Sequence, residues 1–345
     1  MRENFEDWER ERGDLLTRRI SELGLSIRGT LVERLVEQLY GELAARGLAF
    51  RPPVYLSDQW GCPDGTPLIG VPFYLADPRL ARIEEEMAVE VETERDAMRY
   101  LRHEAGHAFN YAYRLYERAD WRQTFGSFSR PYRERFRADP LSREYVRHIL
   151  GWYAQKHPDE DFAESFAVWL TPDLDWRRQY AGWGALRKLE YVDRVMAEVA
   201  ASAPEAPTPT AEDLPVEAMD YTVAEHYRAV DAPLALEDEG HFDGDLRAIF
   251  ASEADAPGGE PAHLFIRRHR REVVARIAFW TGESAYMIRR FIDLLADRAE
   301  RLTLRVSGLE ASTLVELTAF GTAVAMNVRY ADAFDGERRD REVGA

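Results

Sequence analysis

Five consecutive residues, His103-Glu-Ala-Gly-His107, limit the folds open to this chain more than any other segment. Residues four positions apart on an α-helix lie one turn apart on the same face, so both imidazoles can reach one metal ion. Zinc, held about 2.0–2.1 Å from imidazole nitrogen, suits that spacing. Glu104 projects about 100° around the helix, where its carboxylate can accept a proton from a metal-bound water. The pattern predicts a buried helix with a catalytic zinc site.

A second segment, residues 153–167, supplies carboxylates on an apolar background. Pro158 suits the first position of a helix, which places Glu160 in the first turn, where the helix dipole favours anions. Glu160 and Glu164 are four residues apart and share a face. Glu160 can therefore bind zinc while Glu164 accepts the Nδ1–H of a ligating histidine. The aromatic and small residues around them predict a largely buried helix, in which carboxylates need partners.

Together, His-Glu-Ala-Gly-His and the later Tyr-Ala-x-x-x-Pro-x-Glu-x-Phe-Ala resemble gluzincin metallopeptidases of the anthrax lethal factor catalytic-domain type. More closely, the stretch from about 99 to 196 is similar to a bacterial family described as "putative zinc-binding metallopeptidase". The resemblance implies a zincin-like fold, one zinc ion per chain and a peptide or protein substrate.

The resemblance also implies roles for individual residues. The zinc ligands would be His103, His107 and Glu160. Glu104 would be the general base that activates water. Tyr153, seven residues before Glu160, would stabilise the transition state through its hydroxyl group.

The ligand glutamate has a second possible assignment. The same signature can be aligned on residues 163–167, which makes Glu164 the ligand instead of Glu160. That register places His157, not a tyrosine, seven residues upstream. We therefore favour Glu160 as the ligand and Glu164 as the partner of a ligating histidine.

Composition narrows the classes of function. The formal charge of −17 would repel phosphate backbones, so nucleic acid is not expected as a partner. Cys62 is the only cysteine, so zinc must be held by histidine and carboxylate. The charged N-terminus lacks a signal-peptide apolar region, and no uninterrupted apolar stretch of about 18 residues occurs. We expect a cytoplasmic protein with no membrane span.

The predicted fold class is α+β and mainly helical, with a small sheet beside the metal-binding helix. Residues 1–200 would form the zincin-like domain. The Pro- and Ala-rich stretch 201–215 would be a linker, and 216–345 a helical C-terminal domain of unknown role.

Local patterns within these domains predict several elements. Helical periodicity covers 6–47, with a break near Gly24–Gly29, and returns over 262–330. Residues 68–75 are predicted to form an edge strand, because Pro67 precedes the segment and Pro72 lies within it. Residues 120–145 read as an irregular loop rich in arginine and aromatic residues.

Three hypotheses about function follow. The first is a zinc peptidase, and the second is a zinc amidohydrolase that acts on a non-peptide amide with the same groups. The third is a regulatory protein that keeps the zinc site but works through a protein partner bound by its C-terminal half. Every catalytic position is filled, which favours an enzyme.

Overall fold

The computed structural model of the chain describes residues 2–88, 91–133, 136–200, 202–205, 214–229, 240–283 and 285–343. These residues are mainly helical with a small two-stranded sheet, which agrees with the predicted class. The chain forms two compact units, Met1–Ile83 with Glu92–Tyr227 and Glu84–Val91 with Arg228–Ala345.

The helices and strands before residue 230 include those that carry the His103–His107 segment and the residues around it. In chain order they are α1 (Arg2–Thr17), α2 (Leu31–Ala45), β1 (Val54–Ser57), β2 (Ile69–Pro72), α3 (Pro78–Ala88), α4 (Glu94–Ala112), α5 (Ala119–Phe125), α6 (Pro158–Leu170), α7 (Trp176–Gln179), α8 (Ala185–Val199) and α9 (Val223–Ala229). The break between α1 and α2 falls where it was predicted. The loop predicted at 120–145 is wrong at its start, because α5 occupies it.

The boundary between the predicted domains cannot be read from the linker itself, because residues 201 and 206–213 lie outside the described part. Residues just after it pack within the first unit: the carbonyl oxygens of Met219 and Tyr221 accept hydrogen bonds from the backbone N–H groups of Ser21 and Ile20. The division at 201–215 therefore stays a prediction.

The sheet is small and parallel. β1 pairs with β2 in a register that sets Val54 opposite Ile69. Gly61, in the connection between the strands, also pairs with Gly70 of β2, and their backbone hydrogen bonds measure 2.7 and 3.3 Å. The connection is thereby held as an extra short segment beside β2.

α4 and α6 pack against each other in the interior of the first unit. Thr93 caps the N-terminus of α4: its hydroxyl accepts a hydrogen bond from the backbone N–H of Asp96 at 3.2 Å. All thirteen residues of α6 are buried. A helix buried on all sides needs an apolar surface, so its carboxylates are the exception that requires explanation.

The second unit contains α10 (Asp243–Ile249), α11 (Ala262–Thr281), α12 (Ala285–Arg301) and α13 (Glu310–Val343). The helical prediction for 262–330 is confirmed. By length and composition alone, Glu310–Val328 of α13 could cross a membrane, and 22% of that window is buried. One such helix is weak evidence, so the absence of a membrane span stays a prediction.

Candidate metal centre

α4 presents His103 and His107 on one face, and both side chains lie in the interior. Only 2% and 7% of the two residues' surfaces are exposed. Their Nε2 atoms are 3.1 Å apart. The two nitrogens therefore converge on one point, as the four-residue spacing predicted.

α6 brings a carboxylate to the same point. Oε2 of Glu160 lies 3.0 Å from Nε2 of His103 and 3.2 Å from Nε2 of His107. Among the described residues, these three form the group whose ligand atoms all lie within 4.8 Å of one another, and all three are buried.

The spacing of these atoms fits a zinc ion. Two tetrahedral ligands about 2.05 Å from zinc stand about 3.3 Å apart, close to the 3.0–3.2 Å separations of His103, His107 and Glu160. Two imidazoles and one carboxylate are also a donor set that zinc accepts. The three residues are thus compatible with a metal site.

The other nitrogen of His103 is held by α6 as well. Its Nδ1 lies 2.9 Å from Oε1 of Glu164. The second oxygen of Glu164 accepts hydrogen bonds from the backbone N–H groups of His148 and Ile149. A carboxylate fixed in this way holds Nδ1 protonated and leaves Nε2 free to bind a metal. Glu164 therefore lies behind His103, while Glu160 lies in front of it.

His107 has a matching partner that the sequence analysis missed. Its Nδ1 lies 3.0 Å from Oδ2 of Asp159. Asp159 is itself held by the Asn110 side-chain amide at 2.6 Å and by the Tyr111 hydroxyl. A signal was present, because a second ligating histidine also needs an orienting carboxylate, and Asp159 stands beside Glu160 in sequence.

The glycine in the metal-binding pattern lets the two helices approach. A Cβ atom added to Gly106 would lie 2.7 Å from Cα and 3.0 Å from the carbonyl oxygen of Ala163 on α6. Both of those atoms belong to the backbone, so a side chain at position 106 would force α4 and α6 apart. The close crossing brings Glu160 within reach of the histidines.

Glu104 projects into the same cavity from α4. The residue is 7% exposed. Burial raises the pKa of its carboxyl group, although the neighbouring His103 and His107 lower it. A carboxylate with a raised pKa is a stronger base than one in water.

Tyr153 follows a tight turn of the backbone. Gly151 and Trp152 both have positive φ angles, 78° and 57°, and the left-handed conformation is costly for a residue with a bulky side chain. The turn sets the Tyr153 ring 5.6 Å from the His103 ring, measured between centroids. Tyr153 thus lies beside the candidate metal ligands.

A second tyrosine also reaches the cluster. The hydroxyl group of Tyr132, in the loop that follows α5, lies 2.5 Å from Oε1 of Glu160 and 3.5 Å from the hydroxyl group of Tyr153. No local pattern in the sequence links Tyr132 to Glu160, which is 28 residues away.

The cluster opens into a cavity of about 580 Å³. One wall is the connection between β1 and β2, with Gln59, Trp60, Gly61, Cys62 and Asp64. Other residues that line it are Tyr132, Tyr153, Lys156, Glu104 and the three candidate ligands. The candidate metal site is therefore open to molecules from solvent, as a catalytic site must be.

The carboxylates around His103 and His107 favour the protonated forms of both histidines. Burial lowers the pKa of His103, but hydrogen bonds to Glu160 and Glu164 raise it to about 9. The pKa of Glu160 is lowered by His107 and His103, against the effect of burial. A divalent cation can replace the protons that the carboxylates favour here, so metal binding would release protons.

Comparison with known proteins shows a similarity at the level of a family. Residues 76–177 match the model of a family described as "Putative zinc-binding metallo-peptidase". The matched stretch is under a third of the 345-residue chain and contains all of the candidate ligands. No curated protein and no solved structure matches the chain.

Proposed function

We propose that this chain is a zinc-dependent peptidase with one zinc ion held by His103, His107 and Glu160. The observation that carries the proposal is the convergence of two Nε2 atoms and one carboxylate oxygen at the wall of an open cavity. The family match over residues 76–177 supports it. When bound, zinc supplies Lewis acidity, which polarises a substrate carbonyl and lowers the pKa of water toward about 7.

Glu104 would act as the general base. Its carboxylate accepts a proton from the attacking water as the water oxygen bonds to the peptide carbon. It then passes that proton to the amide nitrogen as the C–N bond breaks. Burial in the cavity wall supports this role, because it raises the pKa of the Glu104 carboxyl group.

Tyr153 would donate a hydrogen bond to the oxygen that gains negative charge during attack. The position of its ring beside His103 supports this role. Burial raises the pKa of the Tyr153 hydroxyl, so the group keeps its proton near neutral pH and remains a donor.

The wider assignments follow from the same proposal. We propose a zincin-like fold for residues 1–200, with a gluzincin ligand set of the anthrax lethal factor type. The substrate would be a peptide or protein in the cytoplasm, and a protein partner could bind through the C-terminal half.

The first experiment measures the zinc content of the full-length protein, purified without chelator, beside Glu160→Ala and Glu164→Ala. We expect one equivalent of zinc in the unmodified protein, loss in Glu160→Ala and weaker binding in Glu164→Ala. Loss in Glu164→Ala alone would reverse the roles of the two glutamates.

Activity is then tested with a peptide library, analysed by mass spectrometry. Glu104→Gln is the matched control: it should retain zinc and lose about 10²–10⁴-fold in rate. Bound zinc without peptide cleavage would favour a non-peptide amide substrate. No zinc, even after reconstitution, would overturn the enzyme proposal and favour a regulatory binding protein.

A further inference from the structure

Tyr132 lies in an exposed loop and contacts Glu160, a buried residue of the candidate site. Tyr132 is 49% exposed, whereas Glu160 is only 4% exposed. Their contact, 2.5 Å between the tyrosine oxygen and Oε1 of Glu160, is short for an O–H···O hydrogen bond. A phenol is the donor and an ionised carboxylate only accepts, so the proton of Tyr132 points to Glu160.

The two oxygens of Glu160 therefore have different partners. Oε2 faces the Nε2 atoms of His103 and His107, and Oε1 faces the hydroxyl of Tyr132. We propose that Tyr132 is a positioning residue for the metal site. Its hydrogen bond fixes the rotation of the Glu160 carboxylate so that Oε2 is the oxygen offered to the metal.

The proposal gives each candidate ligand one orienting partner. Glu164 holds His103, Asp159 holds His107, and Tyr132 holds Glu160. Such partners commonly determine metal affinity almost as strongly as the ligands themselves. The third partner differs from the other two because it comes from a half-exposed loop and not from α6.

The contact with Glu160 gives Tyr132 a role different from that of Tyr153. Because the Tyr132 proton is engaged by Glu160, it is not available for a substrate oxygen. The two hydroxyl oxygens are 3.5 Å apart, which permits at most a weak hydrogen bond. Tyr132 should therefore act on zinc affinity, and Tyr153 on turnover.

The test compares Tyr132→Phe with Tyr153→Phe in the full-length protein. Zinc affinity is measured by competition with a chromophoric chelator, after metal removal and reconstitution with zinc alone. We expect Tyr132→Phe to weaken zinc binding about 10–100-fold, and Tyr153→Phe to leave it within about twofold. Phenylalanine keeps the ring that packs 5.4 Å from the His157 ring, so only the hydroxyl is removed.

Two further measurements distinguish positioning from general damage. In the presence of chelator, Tyr132→Phe should unfold in a single cooperative transition with only a small fall in the thermal midpoint, because it lacks one hydrogen bond to a buried carboxylate. In a Glu164→Ala background, which should still bind zinc weakly, Tyr132→Phe should weaken binding by the same factor as in the unmodified protein, because it acts through Glu160 and not through Glu164.

The inference depends on the metal site and not on peptidase activity, so the two can fail separately. Unchanged zinc affinity in Tyr132→Phe, or an equal loss in both variants, would overturn the role of Tyr132 and leave the proposed function standing. If the unmodified protein binds no zinc, both are overturned.

Discussion

Both units are built from regular helices, but the side chains buried between those helices differ in polarity. Between α4 and α6, the interior holds histidines and carboxylates, such as His103 and Glu164, with 2% and 0% of their surfaces exposed. Between α11, α12 and α13, the interior is an apolar cluster with Ile277, Ile292 and Leu317 among its members. Secondary structure alone does not distinguish these two regions.

The difference lies in the groups that each interior must accommodate. Buried polar groups cost stability unless each has a partner. In the α4–α6 region most of them have one, but Oδ1 of Asn110 and Oγ of Ser165 have no hydrogen-bond partner among the described residues. In the described part of the second unit, the buried polar side chains are Thr281 and Thr313, which bond to carbonyl groups of nearby residues. The described core of the second unit is thus almost entirely apolar, whereas the α4–α6 region bears the cost of burying polar groups.

The largest loss of stability is expected when a buried cation of the first unit is removed. Nζ of Lys188 lies 2.6 Å from Oδ2 of Asp161 on α6, and both side chains are at most 4% exposed. Lys188→Met leaves Asp161 buried without a cation and should destabilise the protein by about 3–5 kcal/mol. Chemical denaturation measures this loss.

The matched variant in the second unit is Arg267→Met. Arg267 pairs with Asp297 and Glu300, but these side chains are 44–61% exposed. Because water screens such pairs, the denaturation midpoint should not change measurably. Equal losses in Lys188→Met and Arg267→Met would contradict the contrast between the two units.

A pair of glycine substitutions tests the close packing of helices. Gly106→Ala places its Cβ against the backbone of Ala163, so it should destabilise the protein by about 1–3 kcal/mol and abolish stoichiometric zinc binding. Gly321→Ala on α13 has Cγ1 of Ile277 and Cδ1 of Ile292 at ordinary contact distances, and its one close contact, at 2.5 Å, is with Cδ1 of Ile277. That atom can move, and alanine gains about 1 kcal/mol of helix propensity. Gly321→Ala should keep full zinc binding, with stability within about 1 kcal/mol of the unmodified protein.

Zinc titration and denaturation of both glycine variants measure these effects. Retention of one zinc equivalent in Gly106→Ala would mean that α4 and α6 can separate without loss of the site. Loss of zinc in Gly321→Ala would mean that the second unit influences the metal site, contrary to the comparison.

The smallest effect is expected from a residue that touches no metal. Asp159→Ala removes the carboxylate that holds Nδ1 of His107 and should weaken zinc binding about 10–100-fold. Glu190→Ala, an exposed carboxylate on α8, is the control and should leave zinc affinity unchanged. If chelator competition gives the same affinity for Asp159→Ala and the unmodified protein, Asp159 does not orient His107.

The parts of the site that depend on local spacing could be predicted from the sequence. His103 and His107 lie one helical turn apart because any two residues four positions apart on an α-helix do so. Pro158 marks the start of α6 because proline suits the first position of a helix. Glu160 and Glu164 followed from the same periodicity and a family resemblance. The structure places them on opposite sides of His103, which spacing alone left open.

The parts that depend on tertiary contacts could not be predicted. Tyr132 contacts Glu160 only because its loop returns over α6, and no periodic pattern encodes that return. The role of Gly106 depends on the distance to Ala163, on another helix 57 residues later. In the second unit, apolar periodicity predicted helices correctly but carries no information about a ligand.

The ion pair between Asp161 and Lys188 has a consequence for the order in which parts of the chain fold during synthesis. Domains begin to fold from the N-terminus during synthesis. The histidines of α4 are made before α6, but Lys188 is made 27 residues after Asp161. A nascent chain that ends at α6 has its histidine partners and lacks this cation, so α6 cannot be buried with Asp161 charged and paired until α8 has left the ribosome.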